Sequence, residues 1–240
     1  MNALGGVDPT ARLLGDVSLS SDARVGPGAV LQGPLHAGPG LRIEARALVG
    51  GPAQHRLGDD GRLEIGRDVH IHECATVHRG SPADRGVTRL GDRLLLMAYA
   101  HVGHDGTLDE DVTVANGAQL GGHVRIGARV NVGARAAVHQ FVTVGTGAMI
   151  AAGAMVSGDV PPWTMVAGDR ARIVGPNVVG LRARFGPSAV TAFRRALRRV
   201  WAGGRASTEG LDAAGPECIR DLRRFLSMER RRPICPRGWA

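Results

Sequence analysis

Histidines recur at His101, His104, His123 and His139, each set among small or polar neighbours. His104 is followed directly by Asp105, His123 follows Gly122, and His139 precedes Gln140. An imidazole with a carboxylate within reach is the pairing of a general base: the acid holds the tautomer and stabilises the imidazolium. A glycine leaves its backbone N–H uncovered, and such an amide can support a developing oxyanion. His104, Asp105 and Gly122 are the candidate catalytic set, and the chemistry they suggest is acyl transfer to a hydroxyl. His and Asp adjacent on a strand would face opposite ways. The pair therefore needs a corner, and the chain must supply one.

It does so through a six-residue repeat. An apolar residue returns at Leu90, Leu96, Val102, Leu108, Val114, Leu120, Ile126, Val132, Val138, Val144, Ile150 and Val156. That period suits a β-solenoid, each hexad supplying one short strand and one turn, with three hexads per coil. Residues eighteen apart then stack, about 4.8 Å from coil to coil. His104, Gly122 and Gln140 form one column, and Asp105 and His123 the next. Upstream the register runs from Val7 through Val49, breaks near 50–62, resumes at Ile65, Ile71 and Val77, and breaks again near 79–89. Both breaks read as loops thrown out from corners, a common place for functional residues.

The repeat fades after Asp159-Val160-Pro161-Pro162, because two prolines deny ladder and helix hydrogen bonds alike. Residues 1–169 are expected to form the solenoid, 170–186 an extended connector, and 187–240 a small helical domain. Val190, Phe193, Leu197 and Val200 fall at helical spacing opposite Arg194, Arg195, Arg198 and Arg199, with Gly203-Gly204 as the stop. A second helix is expected over Pro216–Arg230. The fold class is thus an all-β solenoid with a C-terminal α-helical domain. Its exposed flanks call for packing between subunits, most simply as a trimer.

Composition narrows the chemistry. All thirty basic residues are arginine, against 22 acidic ones, for a formal charge of +8. Without lysine there is no Schiff base, no pyridoxal-phosphate anchor and no Walker-type phosphate loop. The basic excess favours an anionic partner. Aromatics are 3% and the arginines are dispersed, which argues against nucleic acid. Three scattered cysteines give neither a disulfide framework nor a zinc ribbon. With no targeting signal and no stretch able to span a bilayer, a cytoplasmic protein without stable membrane insertion is expected.

At Thr76-Val77-His78-Arg79-Gly80, Ala100-His101-Val102-Gly103-His104-Asp105, Gly122-His123, Ala137-Val138-His139-Gln140-Phe141 and Asp159-Val160-Pro161-Pro162 the chain resembles the acyl-ACP–UDP-N-acetylglucosamine O-acyltransferases of lipid A synthesis. The resemblance implies a left-handed parallel β-helix assembled as a homotrimer. It implies transfer of a fatty acyl group, expected to be 3-hydroxylated, from acyl carrier protein to the glucosamine 3-hydroxyl. The protein itself would carry no cofactor, since acyl carrier protein supplies the acyl-phosphopantetheine. His101, His123, His139, Gln140, Arg56, Asn177 and Arg184 would contact the substrates, and Ala152 would stand where acyl length is measured. The chain departs from the family in a shorter N-terminal solenoid, in Gln54-His55-Arg56 in place of Asp-Leu-Lys, in Arg182-Ala183-Arg184 near the end of the connector, and at Tyr99. The alternatives are N-acylation of a 3-amino UDP-sugar, a non-catalytic paralogue that binds carrier protein, and a zinc enzyme like the γ-carbonic anhydrases.

Overall fold

The computed structural model describes residues 6–54, 56, 61–82, 85–201, 206–212 and 214–238. Most of the chain winds as a left-handed parallel β-helix with three sheets of eight, seven and nine strands. The stacking register is the expected one: His101 pairs with Gln119 and Gln119 with Ala137, eighteen residues apart. Strands are only two to four residues long along the regular coils, since each must turn within its hexad.

Two residues of each hexad point inward. The repeating residue, such as Val102, Leu120 or Val132, is fully buried, and so is the residue two before it, such as Ala100, Ala118 or Val130. Pairing small with branched residues fills a narrow axis without large rings. In the first described coil the register residues Val7 and Leu13 are 45% and 41% exposed.

The corners are built mostly without glycine. Tyr99, Asp105, Asp111, His123, Arg129, Arg135 and Phe141 hold the left-handed conformation at φ between 57° and 66°, interspersed with Gly117, Gly147 and Gly153. Such φ values are uncommon for side-chain-bearing residues. Most are held by a bond between coils: His123 N–H donates to His104 O at 2.8 Å, and Phe141 N–H to Gly122 O at 3.0 Å. A left-handed corner is what brings successive side chains such as His104 and Asp105 together.

Both loops interrupt the stacking as expected. Leu48 pairs with Thr76, 28 residues on rather than eighteen, so the first loop adds ten residues. Arg62 pairs with Val87, 25 on, so the second adds seven. The segment expected as an extended connector is more structured than that. Thr164–Ala167 and Arg172–Pro176 form an antiparallel hairpin on the last coil, and α1 (Val178–Phe185) follows. Asn177 caps α1, its Oδ1 accepting Gly180 N–H at 3.1 Å. Helix α2 (Pro187–Val200) buries Val190, Phe193, Leu197 and Val200, the stripe read from sequence. Helix α3 (Glu217–Leu226) buries Cys218, Ile219, Leu222 and Phe225 and is shorter than expected, with Pro216 as its cap. Trp163, buried beneath the helices, donates its Nε1–H to Asp221 at 2.9 Å and ties α3 to the solenoid end. No described helix is long and apolar enough to cross a membrane.

Candidate active site

His104 and Asp105 meet at one corner of the prism. His104 Nδ1 lies 2.8 Å from Asp105 Oδ2. The imidazole is 10% exposed and the carboxylate is fully buried. The same Oδ2 accepts Ser81 N–H at 2.9 Å from the second loop. Arg85 of that loop donates to Asp105 O at 3.0 Å and to Thr107 Oγ1 at 3.1 Å. With the carboxylate acting only as an acceptor, Nδ1 carries the proton and Nε2 is left as the basic nitrogen.

Nε2 stands against Gly122, one coil on. A Cβ placed on Gly122 would come within 2.8 Å of it, so the glycine is required by space. Its φ is not among the left-handed ones, so the turn itself does not demand a glycine here. Gly121 N–H and His123 N–H are used by the ladder, donating to Val138 O and His104 O. Among the described residues the Gly122 N–H between them has no backbone acceptor. The column therefore sets a basic nitrogen beside an uncommitted amide, as acyl transfer needs.

Ring contacts extend from this corner. His123 meets His104 edge-on with centroids 4.8 Å apart, and Phe141, one coil further, stacks on His123 at 4.4 Å. Arg231, from the C-terminal segment, lies 5.2 Å over the Phe141 ring. His104, Asp105 and His123 each place one potential ligand atom within 4.8 Å of the others, so among the described residues a cation would find its donors here. His104 Nδ1, however, already sits at hydrogen-bond distance from the carboxylate.

Against this geometry the relatives are informative. The acyl-[acyl-carrier-protein]–UDP-N-acetylglucosamine O-acyltransferase of Caulobacter vibrioides is 44% identical over 228 residues, 92% of this chain and 87% of that protein. The chain belongs to this acyltransferase family. The enzyme of the same name from Alkalilimnicola ehrlichii is 40% identical over 156 residues, 65% of this chain and 60% of that one. A family model described as UDP N-acetylglucosamine O-acyltransferase, domain 2, matches residues 159–235. The UDP-N-acetylglucosamine acyltransferase of Campylobacter jejuni superimposes with a TM-score of 0.79 at 31% identity, over 96% of each chain.

The other residues expected at the acyltransferase site are spread over the fold. His101 faces out from the sheet beside the His104 corner, its Nδ1 2.9 Å from Thr76 Oγ1 and its ring 5.2 Å from His78. Burial, reinforced by the charges of His78 and His104, depresses its pKa to about 4, so it is neutral near pH 7. His139 and Gln140 are exposed next to the same corner. Ala152 is exposed in the column that holds Ala98, Asn116 and Ala134, at a different corner. Asn177 has its side chain engaged twice, capping α1 and donating to Gly147 O at 2.9 Å. Gly147 belongs to the third corner, so within one chain Asn177 is not brought beside His104. Arg184, exposed on α1, lies 4.0 Å from Glu217. Arg56 is exposed in the first loop, whose His55 falls outside the described residues.

Several residues at the site were not singled out from sequence. Ser81 and Arg85 lie in the second loop, where no repeat gives a position. Phe141 is one coil beyond His123, so the eighteen-residue column could have flagged it. Arg231 and Arg232 return from ninety residues downstream, and no local pattern connects them to the site. Asp159 of the Asp-Val-Pro-Pro run is buried. Burial raises its pKa to about 6 against the opposing pull of Thr143 N–H, Arg230 and Arg232.

Proposed function

We propose that the protein transfers an acyl group from acyl carrier protein to the 3-hydroxyl of UDP-N-acetylglucosamine, with His104 as general base. The observation that carries this is the His104–Asp105 pair at 2.8 Å with Nε2 against the backbone of Gly122. His104 Nε2 takes the proton of the sugar hydroxyl as its oxygen attacks the thioester carbonyl. Asp105, accepting from Nδ1–H, stabilises the imidazolium so formed. The tetrahedral oxyanion is within the reach of Gly122 N–H. On collapse the carbon–sulfur bond breaks, and the imidazolium returns its proton to the departing phosphopantetheine thiolate. Balance is complete without any group beyond the two substrates.

The names and substrates of the relatives support this assignment, as does a basic C-terminal domain suited to an acidic carrier protein. A 3-hydroxyacyl donor and a cytoplasmic setting belong to the same reading. So does a homotrimer, in keeping with flanks on which Tyr99 and Met155 are 65% and 50% exposed.

The test is incubation with acyl carrier protein thioesters of several lengths and either UDP-N-acetylglucosamine or its 3-amino analogue, read by mass spectrometry. An ester on the first acceptor is expected. Product from the amino sugar alone would reassign the enzyme to N-acylation, and carrier-protein binding with no product from either would make it a non-catalytic paralogue. Dialysis against chelator should leave the rate unchanged. A loss restored by zinc would instead favour a cation at His104, Asp105 and His123.

A further inference from the structure

The C-terminal segment is bound to the solenoid by its backbone. Asp159 N–H donates to Pro233 O, and Cys235 N–H to Asp159 O, both at 2.8 Å. Cys235 Sγ lies 3.2 Å from Gly158 O, and Ile173 N–H donates to Pro236 O at 2.8 Å. Arg232 immediately precedes this anchored stretch, so its reach is set by the fold. Its guanidinium makes two contacts on the corner beside the active site: Nη2 is 2.8 Å from His139 Nδ1, and Nε is 3.1 Å from Gln140 O.

The first contact has a defined polarity. A guanidinium only donates, so His139 Nδ1 must accept, and the ring proton sits on Nε2. A competing arrangement is close at hand. Gln140 O is 3.3 Å from the same Nδ1 and would favour a proton there if the arginine were absent. Arg232 satisfies Gln140 O and Nδ1 together and so opposes that alternative. His139 lines an open, largely apolar groove with His101, Gln119, Ala137 and Met155. Its Nε2 is the ring nitrogen left for a ligand.

We infer that Arg232 is a positioning residue: it fixes His139 in the Nε2–H tautomer, so that this imidazole meets the substrate as a hydrogen-bond donor. The atom it recognises is an acceptor oxygen, best a carbonyl or phosphoryl oxygen, rather than a hydroxyl hydrogen. The identity of the substrate rests on the acyl-transfer reading, but the tautomer does not.

The experiment records nitrogen-15 spectra of histidine-labelled protein for the unaltered chain, Arg232→Met and Arg232→Lys, with His139→Gln assigning the signal. The unaltered protein should show Nε2–H at His139. The Met variant should move population toward Nδ1–H, and the Lys variant, whose ammonium can still donate, should recover much of the original signature. In turnover, Arg232→Met should raise KM for one substrate about threefold to tenfold, as loss of one hydrogen bond does, with kcat within twofold. Arg232→Lys should lie between. A His139 signal indifferent to both substitutions overturns the inference, and so does an altered tautomer with unchanged KM in an active enzyme. If the unaltered protein turns over neither acceptor, the acyl-transfer reading fails while the spectra still decide the tautomer.

Discussion

The corner that carries His104 and the next corner along the chain share one backbone and differ in everything else. At the first, His123 N–H bonds His104 O and Phe141 N–H bonds Gly122 O; at the second, Arg129 N–H bonds Glu110 O and Gly147 N–H bonds Ala128 O. Asp105 and Asp111 occupy equivalent left-handed positions at φ 57° and 60°. Yet Asp111 is paired on the surface with Arg93 at 2.7 and 3.0 Å, and Arg129 lies 3.6 Å from Glu110. Such exposed pairs contribute little to stability, because solvent screens them. Asp105 has no exposure at all, because the second loop closes over it through Ser81 and Arg85. The repeat supplies a turn that any hexad could make. What converts one turn into a site is the cover laid over it, which excludes water and leaves the carboxylate to the imidazole.

The comparison breaks most visibly on substitution of the base. His104→Ala should lower kcat by about 10²–10⁴-fold, the usual contribution of a general base, with the thermal midpoint little changed. Glu110→Ala, at the equivalent position of the other corner, should leave the rate within twofold. Equal effects at the two corners, measured with acyl carrier protein thioester and UDP-N-acetylglucosamine, would place the chemistry elsewhere.

The columns next to these residues sharpen the contrast. Ala128 stands where Gly122 stands one hexad earlier, so the backbone accepts a Cβ at this position. At Gly122 that Cβ would press on His104 Nε2 at 2.8 Å and Cε1 at 3.0 Å, and the ring must move. A displacement approaching 1 Å costs about 10²-fold in rate. Gly122→Ala should therefore show a lowered kcat with normal folding, whereas Ala128→Gly should show a small loss of stability and no loss of rate. An active Gly122→Ala would mean that His104 is not held where the structure has it.

How much of this the sequence carried follows from the same contrast. The columns, the strand register, the corner pairing of His104 with Asp105 and both loops were legible because a period of six maps position onto space without ambiguity. The second inward residue of each hexad was obscured where it is alanine, as at Ala100, Ala118 and Ala136, which carries little hydrophobic signal, although valine holds the place at Val112, Val124 and Val130. Helix α1 was missed because Val178–Phe185 holds arginines and glycine with no apolar stripe. Ser81 and Arg85 lie in an insertion, where the repeat assigns no partner. Arg231 and Arg232 reach the site only through the docking of a segment whose contacts are all distant in sequence. Position along a solenoid can be counted, whereas the return path of its tail cannot.

The smallest expected effect concerns acid, and it separates the two regions by pH window. His101, beside the covered corner, has a folded pKa of about 4, set first by burial and then by His78 and His104, against about 6.5 in an unfolded chain. A base whose folded pKa is depressed adds no penalty above its unfolded value. As pH falls from 6.5 toward 4 the unfolded chain takes up the proton first, so stability is lost through that interval. One proton limits the slope to about 1.4 kcal/mol per pH unit. Asp111, at the exposed corner, has its pKa lowered chiefly by its bond to Arg93, so its contribution survives until pH drops below the ordinary carboxylate value. Thermal melts between pH 7 and 4 should show His101→Asn losing less stability than the unaltered protein, while Asp111→Asn keeps a constant offset that shrinks only at lower pH. Parallel melting curves for His101→Asn would show that the imidazole is solvated well enough to protonate in the fold. The burial that distinguishes the two corners would then not extend along the sheet to Thr76 and His78.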